Sequence, residues 1–192
     1  NLPLTVRATM THITDGVTGW DVVQIGGAYE NITIDPSTFG ISPTSDFSFG
    51  GWVKVDTIHN RYDFINLFSG RLTIRSSYNS NSSVWYYDGT VKEKFLTGAL
   101  TPGEWYHIMC TYDYTNKTIK AYKNGVLAMT DATLAASGVL PNTGSNSGIR
   151  MDIGSSVLGE TYAADFAENV RFYNKVLTNT EVTDIYNYEL AL

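Results

Sequence analysis

The sequence predicts an all-β protein, a sandwich or barrel of short strands that ends in one helix. Aromatic residues are abundant, with 13 Tyr, 8 Phe and 4 Trp among 192 residues, and aromatic side chains favour strands. Apolar and polar residues alternate in many segments, which is the period of a strand with one buried face. Turn-forming Gly, Ser, Thr and Asn separate these segments. We expect one domain over residues 1–192, because this length suits a single core.

Six strands are predicted in the first half of the chain. They cover residues 4–10, 29–34, 47–55, 63–68, 71–75 and 83–87. The third is the clearest, because Phe47, Phe49 and Val53 alternate with the residues between them. Since successive side chains of a strand point to opposite faces, these apolar residues face the core and Trp52 faces the other way.

Five strands are predicted in the second half. They cover residues 105–112, 118–122, 126–129, 149–153 and 164–173. Asn124 and Gly125 lie between two apolar runs and predict a hairpin, because both residues tolerate positive φ. Thr178 and Glu181 then form a capping box, and apolar residues follow at helical spacing. We therefore predict one short helix over 179–188, packed on the edge of the sandwich.

Charge and cysteine content disfavour several classes of protein. The net charge is −6 and the pI is about 4.9, whereas nucleic-acid binders carry a basic surface. No apolar run approaches the ~20 residues of a membrane-spanning helix, so we expect no membrane insertion. Cys110 is the only cysteine, which rules out an intrachain disulfide, and its apolar neighbours predict a buried thiol.

Five segments, in order, resemble the laminin-G-like domains of the concanavalin A-like lectin/glucanase type. They are Phe47–Lys54, Gly103–Asp113, Thr118–Gly125, Ile153–Ser156 and Val170–Leu177. The resemblance extends over most of the chain and implies a two-sheet antiparallel jelly roll with a short C-terminal helix. Family members include lectins, carbohydrate-binding modules, adhesion domains and polysaccharide-cleaving enzymes, so the fold alone does not decide the function. It favours an extracellular or surface-exposed protein.

The sequence lacks the carboxylate pattern that glycoside hydrolysis on this fold needs. Hydrolysis takes two acids that face one cleft, and related enzymes carry Glu-x-Asp-x-x-Glu on one strand. The nearest fragment here holds Asp165 and Glu168 three residues apart, on opposite faces of a strand. We therefore expect a protein that is not an enzyme. A polysaccharide hydrolase or lyase with an unrecognised site is the third alternative.

A carbohydrate-binding surface is predicted on three strands, residues 47–55, 71–75 and 83–87, because their alternation places aromatic and arginine side chains on the outward face. Its members are Trp85, Tyr87, Arg71, Arg75 and Trp52, with Tyr78 in the adjacent loop. Flat aromatic rings suit the C–H faces of sugars, and an arginine fork suits the carboxylate or sulfate of an acidic glycan. This prediction requires that the three strands share a sheet. The alternative is that Trp52 and Trp85 are covered and form a second layer of core.

The family resemblance also implies a structural calcium ion. Related domains bind calcium through an acidic residue of the last long strand, which aligns with Glu168, and through oxygens near the N-terminus. Asp15 or Asp21 would supply the other side. Calcium takes six to eight oxygen ligands, and Glu stands where the family has Asp, which shifts the carboxylate outward. The alternative is that these carboxylates are solvated or cap turns.

Two functions remain open beside catalysis. The first is a non-catalytic carbohydrate-binding module of an extracellular or surface protein, which binds a glycan or polysaccharide. The second is a structural or adhesive module of a cell surface or virion, whose partners are neighbouring protein subunits or domains. A surface rich in Thr, Asn and Gly and poor in Lys favours the second.

Overall fold

In the computed structural model, the described residues form two antiparallel sheets of seven strands each. The structure describes residues 4–7, 11–14, 21–24, 31–34, 36–54, 63–76, 81–131, 134–140, 151–153 and 166–191. All strand pairs between these residues are antiparallel. A 3₁₀ helix spans Pro36–Phe39 and an α-helix, α1, spans Asn179–Leu190. The predicted all-β fold is confirmed.

Each sheet is built from strands that are distant in the chain. The first sheet has the order β1 (Leu4–Arg7), β4 (Asn31–Ile34), β13 (Met151–Ile153), β6 (Asp63–Leu67), β7 (Leu72–Ser76), β8 (Ser82–Tyr87), β9 (Val91–Phe95). The second has the order β12 (Val126–Asp131), β11 (Thr118–Lys123), β10 (Trp105–Asp113), β5 (Phe47–Lys54), β14 (Phe166–Tyr173), β3 (Asp21–Gln24), β2 (Thr11–Thr14). Strands β2, β3 and β9 were not predicted.

The core lies between the two sheets and follows the predicted alternation. The first sheet contributes the buried side chains Leu72, Ile74, Val84 and Tyr86, and the second contributes Phe47, Phe49, Ile108, Cys110 and Tyr112. Each fully buried large apolar side chain contributes roughly 1.5–3 kcal/mol relative to exposure. Cys110 is fully buried, which confirms the predicted buried thiol, and this burial raises the pKa of the thiol.

Local signals in the second half of the chain place the hairpin and the helix. Lys123 pairs with Val126 across Asn124 and Gly125, whose φ angles are 51° and 75°. Two positive φ values are the backbone of a type I′ turn. The Thr178 hydroxyl accepts a hydrogen bond from the Glu181 N–H and so caps α1. The Glu181 carboxylate in turn accepts a hydrogen bond from the Thr178 N–H. The helix extends two residues past its predicted end at 188.

Helix α1 contacts the edge strand β12, as predicted, and also extends over the outer face of the second sheet. Its Val182, with Leu177 from the preceding segment, forms a buried cluster with Met109 and Tyr122 of β10 and β11. Tyr122 also donates a hydrogen bond to the Asn179 side chain at 2.7 Å. The helix buries Val182 here because Met109 and Tyr122 present apolar surface on the outer face of these strands.

Candidate functional site

The outer face of the first sheet carries aromatic and arginine side chains on β7, β8 and β9. Since Leu72, Ile74, Val84 and Tyr86 point into the core, their neighbours in sequence point outward. The strand register sets these neighbours in three rows. We call this surface the β7–β9 face, and it consists of Arg71, Thr73, Arg75, Ser83, Trp85, Tyr87, Val91, Glu93 and Phe95.

One row of this face joins Arg71, Tyr87 and Val91. The Tyr87 N–H donates to the Arg71 carbonyl at 3.1 Å, which holds the two residues opposite each other. The guanidinium carbon of Arg71 lies 4.3 Å from the centroid of the Tyr87 ring, within the range of a cation–π interaction. Both side chains are half-buried. No carboxylate among the described residues pairs with Arg71.

Arg75 is held in a polar network at the other side of the face. Its Nη2 lies 3.2 Å from Oε2 of Glu93, and the Ser83 hydroxyl donates to Oε1 of the same carboxylate at 2.7 Å. The guanidinium carbon lies 5.5 Å from the Trp85 ring centroid. Arg75 points outward from the sheet as predicted, but its side chain is covered and only 5% exposed. Its charge is already balanced by Glu93.

Accessibility increases from β7 toward the edge strand β9. Thr73 is buried and Trp85 and Tyr87 are half-buried, whereas Val91 is 64% and Phe95 is 53% exposed. The face therefore presents partly covered aromatic rings that continue into an open apolar rim. Sequence reasoning missed this rim because it did not recognise β9. The Asp88-Gly89 turn and the alternation of Val91, Glu93 and Phe95 with lysines were the available signals.

Four predicted binding residues come together on the β7–β9 face and two do not. Arg71, Arg75, Trp85 and Tyr87 share it, whereas Tyr78 lies outside the described residues. Trp52 lies in the second sheet and is 3% exposed, so its predicted place on this face was wrong. The alternation of side chains correctly predicted that Trp52 points away from the core. Alternation does not reveal which sheet β5 joins, nor that α1 covers its outer side.

Trp52 instead belongs to a buried polar cluster beneath α1. Its indole N–H donates to Oε2 of Glu189 at 2.9 Å, and its ring stacks on Tyr186 at 5.6 Å between centroids. The other carboxylate oxygen of Glu189 accepts a hydrogen bond from Nε of Arg171. The interpretation as a second layer of core is thus correct for Trp52.

His107 completes this cluster as a neutral side chain. It is fully buried, with its ring 5.5 Å from that of Trp52 and its Nε2 3.6 Å from Glu189, too far for a hydrogen bond. Neither ring nitrogen has a hydrogen-bond partner among the described residues. Burial, aided by the charge of Arg171, lowers the pKa of His107 to about 4. The histidine is therefore uncharged at neutral pH.

The predicted calcium ligands remain a prediction. Glu168 lies in β14 with its backbone opposite Trp52, and Asp15 lies outside the described residues. Within the described ranges, no three His, Cys, Asp or Glu side chains are grouped in a way that suits a metal ion.

Two packed sheets with an aromatic outer face define a lectin-like β-sandwich. The chain belongs to the Concanavalin A-like lectin/glucanases superfamily, whose family model matches residues 26–183. This confirms the resemblance seen in the five sequence segments. No curated protein sequence matches the chain. None of the described helices is long and apolar enough to cross a membrane.

Solved structures with the same fold include several binding domains. Domain 4 of AbnA, a GH43 extracellular arabinanase from Geobacillus stearothermophilus, in complex with arabinotriose, has a TM-score of 0.73 at 16% identity, over 96% of this chain and 88% of that one. The CBM40 of a Ruminococcus gnavus IT-sialidase, bound to α2,3-sialyllactose, has a TM-score of 0.68 at 12% identity, over 86% and 96%. The binding domain of Paraclostridial Mosquitocidal Protein 1 has a TM-score of 0.71 at 15% identity. The match covers 98% of this chain and 48% of that one, so this chain corresponds to about half of that binding domain. At these identities the likeness shows the fold.

Proposed function

We propose that the chain is a non-catalytic carbohydrate-binding module of an extracellular or surface protein, and that it binds a glycan on the β7–β9 face. The observation that carries this proposal is the pair Trp85 and Tyr87. These two half-buried aromatic residues alternate on one strand, and each has an arginine beside its ring. Residues two apart on a strand are roughly 7 Å apart, so one extended saccharide can contact both rings.

The chemistry of the face suits a sugar better than a purely apolar ligand. Aromatic rings give flat contact area, and the Arg71 N–H groups and the Tyr87 hydroxyl give polar groups at its margin. Ligand sites combine such apolar walls with a few well-placed polar groups. Support also comes from the neighbouring structures with bound arabinotriose and sialyllactose.

Arg71 is the residue that favours an acidic glycan. Its guanidinium has no carboxylate partner among the described residues, whereas that of Arg75 is paired with Glu93. Stacking on Tyr87 holds the Arg71 fork in place, and such a fork binds a carboxylate or sulfate through two parallel hydrogen bonds. The negative total charge of the chain does not oppose this, because surface charges beyond about 10 Å are largely screened at 0.1 M salt.

A catalytic role for this face finds no support in its acids. Glu93 is the one carboxylate among the residues that define this face. It accepts a hydrogen bond from the Ser83 hydroxyl and forms an ion pair with Arg75. Glycoside hydrolysis takes two carboxyl groups, one on either side of the scissile bond. The face is therefore equipped to hold a saccharide and not to cleave it.

Tyr87→Ala and Arg71→Gln test the proposal with a matched control pair elsewhere on the chain. Tyr114 is also half-buried and has the Lys117 ammonium over its ring, so Tyr114→Ala and Lys117→Gln make the same chemical changes off the face. A glycan array followed by calorimetric titration measures binding. We expect Tyr87→Ala to weaken binding about tenfold or more, which is about 1.4 kcal/mol. Arg71→Gln should weaken acidic glycans about 10–100-fold, as loss of a charged hydrogen bond does, and leave neutral glycans unchanged.

Two outcomes contradict the proposal. One is that no glycan binds the wild-type protein. The other is that the Tyr114 and Lys117 variants lose as much affinity as the Tyr87 and Arg71 variants. If Arg71→Gln weakens neutral and acidic glycans equally, the face binds sugar but the acidic specificity is wrong.

A second candidate function is a structural or adhesive module that binds neighbouring protein subunits. The observation that favours it is a set of exposed apolar residues on two edge strands, Val91 and Phe95 on β9 and Val126 and Leu127 on β12. The Thr97 N–H donates to the Ala128 carbonyl at 3.4 Å, which ties these edges together on one side of the sandwich. A defined oligomer by sedimentation velocity, lost in Phe95→Ser, would favour this function.

A further inference from the structure

A groove between α1 and the end of β14 is the feature of the molecule that neither the core nor the β7–β9 face explains. It encloses about 340 Å³, within the size range of small-ligand sites. Its walls are Arg171, Tyr173, Asp184, Ile185, Tyr188 and Glu189. A further hollow of about 300 Å³ continues it toward Lys175 and Glu181, and the two share Tyr173, Asp184 and Ile185.

The helix supplies its side of the groove through residues at helical spacing. Asp184 and Tyr188 are four residues apart, as are Ile185 and Glu189, so each pair lies on one face of α1. Tyr188 is 64% exposed, which is unusual for a large aromatic side chain. Ile185 and Tyr173 pack against the buried cluster below. The groove thus has an apolar floor and an open tyrosine at its rim.

Two ion pairs lie among the residues that line the groove and its continuation. Arg171 bonds to Glu189 through Nε, and Lys175 bonds to Glu181. The other N–H groups of the Arg171 guanidinium have no partner among the described residues, and this side chain is 39% exposed. The Asp184 carboxylate also lacks a partner within the described ranges. The groove is therefore lined by hydrogen-bond donors of Arg171 and an acceptor, the Asp184 carboxylate, together with the rings of Tyr173 and Tyr188.

We propose that this groove is a second carbohydrate-binding site and that it takes a neutral sugar. A sugar hydroxyl donates and accepts hydrogen bonds at once, so adjacent hydroxyls match Arg171 and Asp184 together. The Asp184 carboxylate would repel an anionic ligand, and the Arg171 guanidinium would repel a cationic one. A neutral ligand avoids both repulsions. The rings of Tyr173 and Tyr188 offer flat surfaces to the sugar's C–H groups. This inference does not rest on the function of the β7–β9 face.

Asp184→Asn and Tyr188→Ala test the site, with Asn187→Ala as the matched control. Asp184, Tyr188 and Asn187 are all exposed on the same helix, and Asn187 lines neither part of the groove. The probes are arabinotriose, xylotriose, maltotriose and lactose, titrated by calorimetry and saturation-transfer NMR. We expect one of them to bind with Kd in the range of about 0.1–5 mM, typical of a weak small-ligand site. Both groove variants should weaken it about tenfold or more, and Asn187→Ala should change it less than about twofold.

The face variants separate this site from the first one. We expect Arg71→Gln and Tyr87→Ala to leave neutral-probe binding at the groove unchanged, and Asp184→Asn to leave acidic-glycan binding at the face unchanged. The proposal is overturned if no probe binds wild-type protein at millimolar concentration, or if the groove variants bind like wild type. It is equally overturned if Asn187→Ala loses as much affinity as Tyr188→Ala. Failure of the face variants alone would count against the first site and not this one.

Discussion

Acidification should destabilise the fold through His107. The side chain is buried between Trp52 and Tyr186, and burial lowers its pKa in the folded state from the ordinary 6.5 of histidine to about 4. Glu189 lies only 3.6 Å away, but its carboxylate already accepts hydrogen bonds from Trp52 and Arg171. Burial disfavours the charged imidazole, and the positive charge of Arg171 opposes protonation further, so the fold favours the neutral form.

The size of the effect follows from the two pKa values. The folded-state pKa lies below the unfolded one, so the stabilisation is fully present above pH 6.5 and is lost as the pH falls toward 4. A difference of one between the pKa values is about 1.4 kcal/mol. The full loss is then about 3.4 kcal/mol, and about 2 kcal/mol of it occurs between pH 7 and pH 5. Against a typical total of 5–15 kcal/mol, this is a large fraction.

Urea denaturation of wild type and His107→Leu, at half-unit steps between pH 7.5 and pH 4, measures the effect. Leucine is close to histidine in size and does not titrate, so the difference between the two curves isolates the histidine. We expect the stability of the wild type to fall more steeply, with the two curves converging by about 2 kcal/mol between pH 7 and pH 5. Parallel curves over this range would show that His107 does not titrate on unfolding and would refute the reasoning.

The remaining predictions concern the helix, the face and the metal. Thr178→Ala should cost about 1 kcal/mol in urea denaturation, as loss of an N-cap does; an unchanged midpoint contradicts this. Glu189→Ala should cost about 3 kcal/mol, because it removes the acceptor of a buried indole N–H and of a half-exposed guanidinium; a loss under about 1 kcal/mol contradicts it. Trp85→Ala should abolish glycan binding yet cost about 1–2 kcal/mol, between the values for surface and core aromatics; a loss of 3–5 kcal/mol would make it core. If Glu168 and Asp15 bind calcium, EDTA should lower the melting temperature, and an unchanged melt would retire the site.

The parts of the fold that the sequence predicts correctly are those set by local chemistry. The alternation in β5 places Phe47 and Phe49 in the core because the side-chain period of a strand is two. The Asn124-Gly125 turn forms because few other residue pairs accept two positive φ values. The start of α1 follows from the reciprocal bonds of Thr178 and Glu181. Each of these needs only neighbours within a few residues.

Predictions that failed depend on contacts between distant segments. Trp52 lies away from Trp85 because β5 and β8 belong to different sheets, and a pattern of alternation does not reveal sheet membership. Glu189, 137 residues away in sequence, binds Trp52, and nothing near either residue signals it. Strand β9 was missed because charged residues occupy most of its positions, which is common for an edge strand that buries little.

The charges of β9 also bear on how the molecule behaves when many copies are present. Among the strands that the structure describes, β9 is the last of its sheet, and edge strands promote aggregation because another chain can pair with them. If two copies paired antiparallel about Glu93, the two glutamates would oppose each other, and each Lys92 would oppose a Lys94. Like charges directly opposite are destabilising in a sheet. These like charges therefore oppose antiparallel pairing of two β9 strands about Glu93. Such pairing would place the β7–β9 faces of two molecules side by side, and the charges of β9 keep them apart.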